Sequence, residues 1–357
     1  MKAAVYSPYL DTLGGGEKYM MTIAEVLSAD YEVEVLLDKH LQKEDNLKEK
    51  LAKKFNLNLS KVRFIPAPVG KGSSFVPRIN FLKKYDLLFY LTDGSIFYPT
   101  GKKNILHVQS PLIGQPAKNL WGKIKLKGWD VIIYNSKFTQ ENSQKNWPLG
   151  SKVIYPPVDT DKIKPLRKKK YILSVGRIFG YLKDKKYELL IKAFERIQKN
   201  SQASGWSLNI VGTASEGDKP YLEELKNLAK NLRVNFYPNL EYDELVKLYG
   251  EAAIYWHASG YGENDPTKME HFGISTVEAM AAGCVAVVIG KGGQKEIVDD
   301  GQNGFLWNNL PELEDKSLQL MGNQKLMSRL SLASIKKAGN FSKQFFESNI
   351  KKLITSI

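Results

Sequence analysis

Two glutamates, Glu270 and Glu278, stand eight positions apart in the stretch from Trp256 to Trp307 of this 357-residue chain. His271-Phe-Gly-Ile-Ser-Thr-Val277 runs between them, and Ala279-Met-Ala-Ala-Gly283 follows. The pattern predicts a loop carrying Glu270 and then a short helix. Ser275 or Thr276 can cap its N-terminus, and Gly283 can end it in the left-handed conformation. Glu278 then falls within the first turns. The backbone N–H groups of Phe272, Gly273 and Ile274 approach the positive end of the helix dipole, where a phosphate is well received. Gly273 leaves room for close backbone approach. A phosphate there would have a carboxylate on each side, able to accept hydrogen bonds from hydroxyls. Phosphate flanked by hydroxyl acceptors describes a nucleotide-sugar.

These groups must be held by the elements around them. Cys284-Val-Ala-Val-Val-Ile289 is short, continuously apolar and bounded by Gly, which suits a strand buried on both faces of a parallel sheet. Gly292-Gly-Gln-Lys-Glu-Ile-Val298 then reads as a turn and a second helix. The rest of the chain repeats such strand–helix alternation. In the first half, strands are expected at Lys2 to Tyr6, Glu32 to Leu37, Val62 to Ile65, Tyr85 to Leu91, Asn104 onward and Asp130 onward. Helices are expected at Lys18 to Leu27 and Leu41 to Lys54, with Pro66 to Pro77 as a loop and Ser136 as a cap. In the second half, strands are expected at Tyr171 onward, Leu208 to Gly212, Val234 onward and Ala252 to His257. A helix is expected from Lys185 to Phe194. Alternation of this kind specifies an α/β protein with doubly wound parallel sheets. The length suits two such domains, at 1–165 and 166–338, with a terminal segment at 339–357 whose helix spans Asn340 to Ile354. Pro156, Pro157 and the run Arg167-Lys-Lys-Lys170 mark the linker.

Ligand-binding groups in open α/β sheets gather at strand C-terminal ends. His107 and Arg177 occupy such places. A hydrogen-bonded core role remains the alternative for His107. Gly14-Gly-Gly16 follows the first strand without the spacing of a dinucleotide fingerprint, and read alone it can be a simple turn. The eleven residues from Ala258 to Lys268 form an insert of a length usually tied to function or mobility.

Glu270, Phe272-Gly-Ile274, Glu278-Ala-Met-Ala-Ala-Gly283, the buried strand and the Gly-Gly turn, in that order, resemble the Glu-x7-Glu region of the GT-B glycosyltransferases. The likeness is to their large retaining group, the glycosyl transferases group 1. Asn135-Ser-Lys-Phe-Thr139 and Pro156-Pro-Val-Asp159 are also similar to that family. The resemblance implies two Rossmann-like domains facing across a cleft, with the donor bound mainly to the second. It implies that Glu270 contacts the transferred sugar and that Glu278 holds the ribose hydroxyls. Gly15 and Gly16 would face the donor diphosphate, and Gly212 would touch the donor. Asn239 and Leu240 would lie near the nucleobase, and His107 near the sugar. Matching Leu190-Ile-Lys-Ala-Phe194 to the family helix sets Lys185 on a family lysine, so Arg177 and Lys185 can neutralise the diphosphate. Lys183 or Lys186 could take that part instead. The terminal helix would cross back to the first domain. The insert resembles that of transferases adding mannose from GDP-mannose to a lipid-linked oligosaccharide.

The chain carries 52 Lys and Arg against 38 Asp and Glu, a net charge of +14. Such a chain attracts anions. The excess is either a generally basic surface or a face resting on an anionic membrane. No basic-aromatic nucleic-acid motif and no zinc ligand set occur, so neither nucleic acid nor a metal is expected. Asp159-Thr-Asp161 imitates an Asp-x-Asp metal signature but falls in the expected linker. No apolar run reaches the ~18 residues needed to span a bilayer, and the N-terminus reads as a strand and not a signal peptide. A lone Cys284 in an expected buried strand is inert, and a cytoplasmic setting is expected.

The expected reaction is hexosyl transfer, mannosyl from GDP-mannose first, to a glycan or lipid-linked hydroxyl, with no cofactor. The resemblance implies retention at the anomeric carbon; double displacement would need a nucleophile opposite the leaving group, and none can be named from the sequence. A front-face path is therefore expected, with the donor phosphate taking the acceptor proton. A UDP-sugar-dependent transferase is the main alternative. A nucleotide-sugar 2-epimerase shares the fold, and a non-catalytic nucleic-acid-binding module would show steep salt dependence. Arg177, Lys185, Glu270 and Glu278 together argue against the last two.

Overall fold

Two runs of short apolar strands alternate with helices along the chain, and each run closes into its own parallel sheet. The computed structural model describes residues 1–114 and 119–357. Contacts divide them into one unit of Met1–Pro157 with Gln344–Ile357 and a second of Val158–Lys343.

The first sheet holds β1 (Lys2–Tyr6), β2 (Glu32–Leu37), β3 (Val62–Pro66), β4 (Leu87–Leu91), β5 (Lys103–Val108), β6 (Val131–Tyr134) and β7 (Ser151–Val153). Their spatial order is β3-β2-β1-β4-β5-β6-β7. The order reverses between β1 and β4, and the Gly-rich loop follows β1. That is the switch point where doubly wound sheets bind ligands. Phe346, Ile350 and Leu353 of the terminal helix Lys343–Ser356 pack into the core of this same unit.

The second sheet holds β8 (Lys169–Val175), β9 (Ser207–Gly212), β10 (Val234–Pro238), β11 (Ala252–His257), β12 (Val285–Ile289) and β13 (Gly304–Trp307). Their order is β10-β9-β8-β11-β12-β13, and its reversal lies between β8 and β11. Every residue of β12 is buried, as a continuous apolar run in a sheet covered on both faces requires. The doubly wound α/β class expected from the sequence is the one observed.

Several boundaries differ from expectation for local reasons. The first helix is Gly15–Leu27 and begins three residues before Lys18. The Glu17 carboxylate accepts from Gly14 N–H at 2.8 Å and from the Thr12 hydroxyl at 3.0 Å, which anchors the turn inside the glycine run. The expected helix from Leu41 to Lys54 is a 3₁₀ turn at Leu41–Lys43 and a helix at Leu47–Phe55. Asn46 breaks it at φ +54°. The Pro66 to Pro77 loop ends early, because a helix spans Phe75–Leu82. Pro77 sits in its first turn, where a missing N–H removes no helical bond. The terminal helix starts at Lys343 and not Asn340, which lies in the 3₁₀ turn Gly339–Phe341.

The run Arg167–Lys170, expected to mark the linker, is mostly exposed but leads directly into the second sheet. Lys169 and Lys170 open β8. The Lys168 ammonium donates to the carbonyls of Gly250 at 2.8 Å and Ala282 at 2.5 Å. Those carbonyls stand at the C-terminal ends of the helices Tyr242–Glu251 and Ile274–Ala281, where a cation is favoured.

Candidate active site

The site of the second unit is built where β8 and β11 end. Lys185 follows β8 and leads into the helix Tyr187–Ile197. Its aliphatic stem crosses directly over Gly176, where a Cβ would meet Lys185 Cε at 2.9 Å. This delivers the ammonium to Glu270, with Nζ 2.8 Å from Oε2. Lys185 Nζ is also 3.7 Å from Asp184. At the end of β11, His257 Nε2 lies 3.1 Å from the same Glu270 oxygen. A carboxylate only accepts, so Nε2 carries the proton, and the buried Nδ1 has no partner among the described residues.

The electrostatics follow from this triangle. Burial raises the Glu270 carboxyl pKa, but the Lys185 cation and the His257 hydrogen bond outweigh it and hold the group well below the usual range. Burial lowers Lys185, and Glu270 with Asp184 more than restores it, so the ammonium is held above its ordinary value. The exposed Arg177 acts on Lys185 in the opposite sense, as a neighbouring cation must. Burial keeps His257 below its ordinary value and therefore neutral. Lys183 and Lys186 are turned to other acids. Lys183 pairs with Glu224 at 2.8 Å and Glu188 at 3.5 Å, and Lys186 pairs with Glu263 of the insert at 2.8 Å.

The loop bearing Glu270 is held from beneath by the Gly292–Gly293 turn. Gly293 N–H donates to the Glu270 carbonyl at 2.8 Å. A Cβ on Gly292 would lie 2.2 Å from that carbonyl oxygen, and one on Gly293 would lie 2.5 Å from the His271 carbonyl. The helix Ile274–Ala281 follows, with Gly273 at its N-cap and φ +117°. Neither expected cap is made. The Ser275 hydroxyl accepts from Tyr255 Oη at 2.8 Å, and the buried Thr276 hydroxyl has no partner. The chain turns into the helix through a glycine conformation, which leaves both hydroxyls for other work. Gly283 is left-handed, at φ +75°.

Glu278 is the fifth residue of that helix, and Tyr249 Oη donates to its Oε2 at 3.0 Å. The Phe272 ring is buried, edge-on to Phe341 with centroids 5.4 Å apart, so only its backbone can meet a ligand. Ile274 opens the helix. Gly212 ends β9, and a Cβ there would lie 1.9 Å from the Gly176 carbonyl, so close packing alone requires a glycine. Asn239, at φ +56°, pins the neighbouring loop through both side-chain atoms. Its Oδ1 accepts from Ala214 N–H at 2.9 Å, and its Nδ2 donates to the Ala214 carbonyl at 3.0 Å. Leu240 follows it, half-buried.

Gly15, Gly16 and His107 belong to the first unit. Gly15 and Gly16 open the helix Gly15–Leu27, so their amides are among those left without a helical acceptor. A Cβ on Gly16 would lie 1.8 Å from Gln109 Oε1. His107 is fully buried and stacked on Tyr19 at 3.9 Å between ring centroids. Its Nδ1 lies 3.1 Å from the Ile133 carbonyl, its Nε2 has no partner among the described residues, and burial lowers its pKa to about 3.

The structure thus brings together Arg177, Lys185, Glu270 and the Gly273 helix start. His257, Tyr249, Tyr255 and Gln294 were not singled out in the sequence. Gln294 is fully buried beside Gly273, with both amide atoms unpartnered among the described residues. Only His257 carried a signal, since it ends an expected strand just as His107 does. Among the described residues, no group of three or more His, Cys, Asp or Glu is placed to hold a metal ion, and no helix is long and apolar enough to cross a membrane.

The family model described as glycosyl transferases group 1 matches residues 158–337. The mouse (Mus musculus) GDP-Man:Man(3)GlcNAc(2)-PP-Dol alpha-1,2-mannosyltransferase is 31% identical over 255 residues, covering 63% of this chain and 49% of that protein. The human (Homo sapiens) protein of the same name is 27% identical over 307 residues, covering 79% and 55%. This chain spans about half the length of these relatives. A glycosyltransferase from Rickettsia africae ESF-5 matches with a TM-score of 0.76 at 18% identity, covering 99% of this chain and 97% of that one. Sucrose-phosphate synthase from Thermosynechococcus elongatus matches with a TM-score of 0.73 at 15% identity, covering 100% and 98%. At these identities the structural matches speak for the fold, which is GT-B.

Proposed function

The chain belongs to the glycosyl transferases group 1, and from that premise we propose that it transfers mannose from GDP-mannose to a hydroxyl of a lipid-linked glycan. The observation that carries the chemistry is the Lys185–Glu270–His257 cluster beside the Gly273 helix start. The similarity to GDP-mannose-dependent relatives supports the donor and acceptor class.

In this reading the helix N-terminus, Lys185 and Arg177 receive the donor diphosphate. Arg offers a planar fork and Lys a compact charge. Glu270 accepts from sugar hydroxyls, with its ionised form secured by Lys185 and His257. Glu278, oriented by Tyr249, accepts from the ribose. Asn239 and Leu240 border the base, and the Gly15 and Gly16 amides at a helix start are of the kind that receives a phosphate. Fixed donors of this kind stabilise a developing anion without reorganising. The acceptor oxygen bonds to the anomeric carbon as the carbon–phosphate-oxygen bond breaks. The acceptor proton passes to the departing phosphate, and configuration is retained. No metal is needed for these steps. The net charge of +14 supports peripheral contact with an anionic membrane, where a lipid-linked acceptor would be met.

The test is thermal stabilisation by GDP, UDP, ADP and their common sugars, followed by product analysis with a lipid-linked oligosaccharide. A ligand at about a hundred times its Kd adds ~2.7 kcal/mol. A selective GDP response, transfer of mannose with retained configuration, and persistence of transfer in a chelator support the proposal. A selective UDP response would move the donor to glucose or an N-acetylhexosamine. No response to any nucleotide would overturn the reading.

A further inference from the structure

The helix Leu120–Lys127 has two apolar stripes, and only one is packed against the described residues. Gly122 and Leu126, four residues apart, are buried and hold it to the first unit. Asn119 caps it, its side chain accepting from Gly122 N–H at 2.9 Å. Leu120, Trp121 and Ile124 share the opposite side at spacings of three and four. They are 72%, 68% and 36% exposed. A helix whose outer side met only water would carry polar residues there.

A cavity of about 360 Å³ adjoins this helix. Leu126, Pro148 and Leu149 give it an apolar wall, and Lys123, Lys127 and Lys145 give it three cations. Asn146 also lines it and donates to the Ile113 carbonyl at 2.6 Å, while Trp147 Nε1 donates to the Gly114 carbonyl at 3.2 Å. These bonds fix Ile113, itself 54% exposed, next to the cavity. The sequence between Asp93 and Asp130 contains six lysines and no acid, so nothing on this stretch offsets the charge.

We propose that the helix Leu120–Lys127 and the adjoining cavity form a docking site for an anionic phospholipid surface. Leu120, Trp121 and Ile124 enter the headgroup–acyl boundary, and the three lysines receive a phosphodiester headgroup. A Trp with flanking lysines suits that boundary, since each pairs an apolar body with a polar end. A second copy of this chain is disfavoured as occupant, because it would bring like charge against like. This assignment deepens the membrane contact proposed above, and its test needs neither donor nor acceptor, so its failure would leave the transfer reaction standing.

The experiment is co-sedimentation of the whole chain with vesicles of phosphatidylcholine alone or mixed with phosphatidylglycerol. The expected result is binding to the mixed vesicles, weakened by salt, and little binding to the neutral ones. L120S/W121S should lose partition that survives high salt, and K123E/K127E/K145E should lose the preference for anionic lipid. Each lysine near the surface contributes about fivefold. Quenching of tryptophan fluorescence by brominated lipid should vanish in W121F. All the substituted side chains are exposed, so thermal stability should hold and will be checked beside binding. No binding by the native chain would overturn the proposal, and so would equal binding by both variants, which would assign the effect to diffuse charge elsewhere. Self-association of the native chain that L120S/W121S abolishes, without vesicle binding, would also overturn it.

Discussion

Lys185 Nζ and Glu270 Oε2 are 2.8 Å apart, so the cation assigned to the donor diphosphate and the carboxylate assigned to the sugar form one ion pair. Each is about one-fifth exposed. Removing one partner leaves the other charged in a partly dry place. Lys185→Met should therefore cost stability, roughly 1–3 kcal/mol, and Lys185→Met with Glu270→Gln should recover part of it. Turnover should behave otherwise. Loss of one preorganised donor costs about 10²–10³ in kcat, and the second substitution should not restore it. A double variant regaining activity as well as stability would show that the pair serves the fold alone.

Arg177 provides the contrast. It is exposed, and only its field reaches Lys185. Arg177→Ala should leave the thermal midpoint unchanged, and it should cut turnover strongly if its charge serves the departing diphosphate as proposed. Wild-type rates with GDP-mannose would remove it from the leaving-group role.

Glu278 should report on the nucleotide. Glu278→Ala should weaken GDP binding measured by calorimetry, by about 1–3 kcal/mol if the ribose hydroxyls lose an ionised acceptor. Tyr249→Phe removes only the hydroxyl that orients this carboxylate, so its effect should be smaller and in the same direction. An unchanged Kd in both would sink the ribose assignment.

The parallel sheets were legible because strands buried on both faces must be apolar throughout, as Val285–Ile289 is. Helix starts were less so. Nothing in Gly14-Gly-Gly16 alone says that Glu17 turns back to cap the chain there, and Pro77 disguised a helix whose first turn tolerates it. The helix Leu120–Lys127 passed unnoticed because its outward stripe is apolar and its lysines fall between. At the site, the order of residues around Glu270 drew attention to it, and Lys185 came from the likeness of its helix to the family's; the structure pairs the two. Tyr249, Tyr255 and Gln294 were not, because they reach Glu278, Ser275 and Gly273 from other elements. Proximity of that kind is set by strand order, which no local pattern records.

Gly273 tests the helix start directly. Its φ of +117° is open to glycine and strained for other residues, and a Cβ would lie 2.8 Å from the buried Gln294 amide. Gly273→Ala should cost about 1–2 kcal/mol from the backbone alone. It should also weaken nucleotide binding, since the first-turn amides can no longer present themselves to a phosphate. A variant equally destabilised at Gly301, which is left-handed at φ +72° with open space around it, should keep its nucleotide affinity. Equal affinity in the Gly273 variant would separate the helix start from the donor.

His107 sets an expectation for acid. Its imidazole is buried, stacked on Tyr19, and lowered from 6.5 to about 3. Between those values the unfolded chain binds a proton that the folded chain does not, so stability rises with pH across that window. On acidification the loss should begin below about pH 6.5 and continue until the folded ring itself titrates. His107→Phe keeps a flat ring against Tyr19 and removes the proton site. Its unfolding free energy, measured in denaturant as a function of pH, should fall less steeply than that of the native chain. Parallel curves would mean that the acid response belongs to other groups, His257 first, whose burial acts in the same direction.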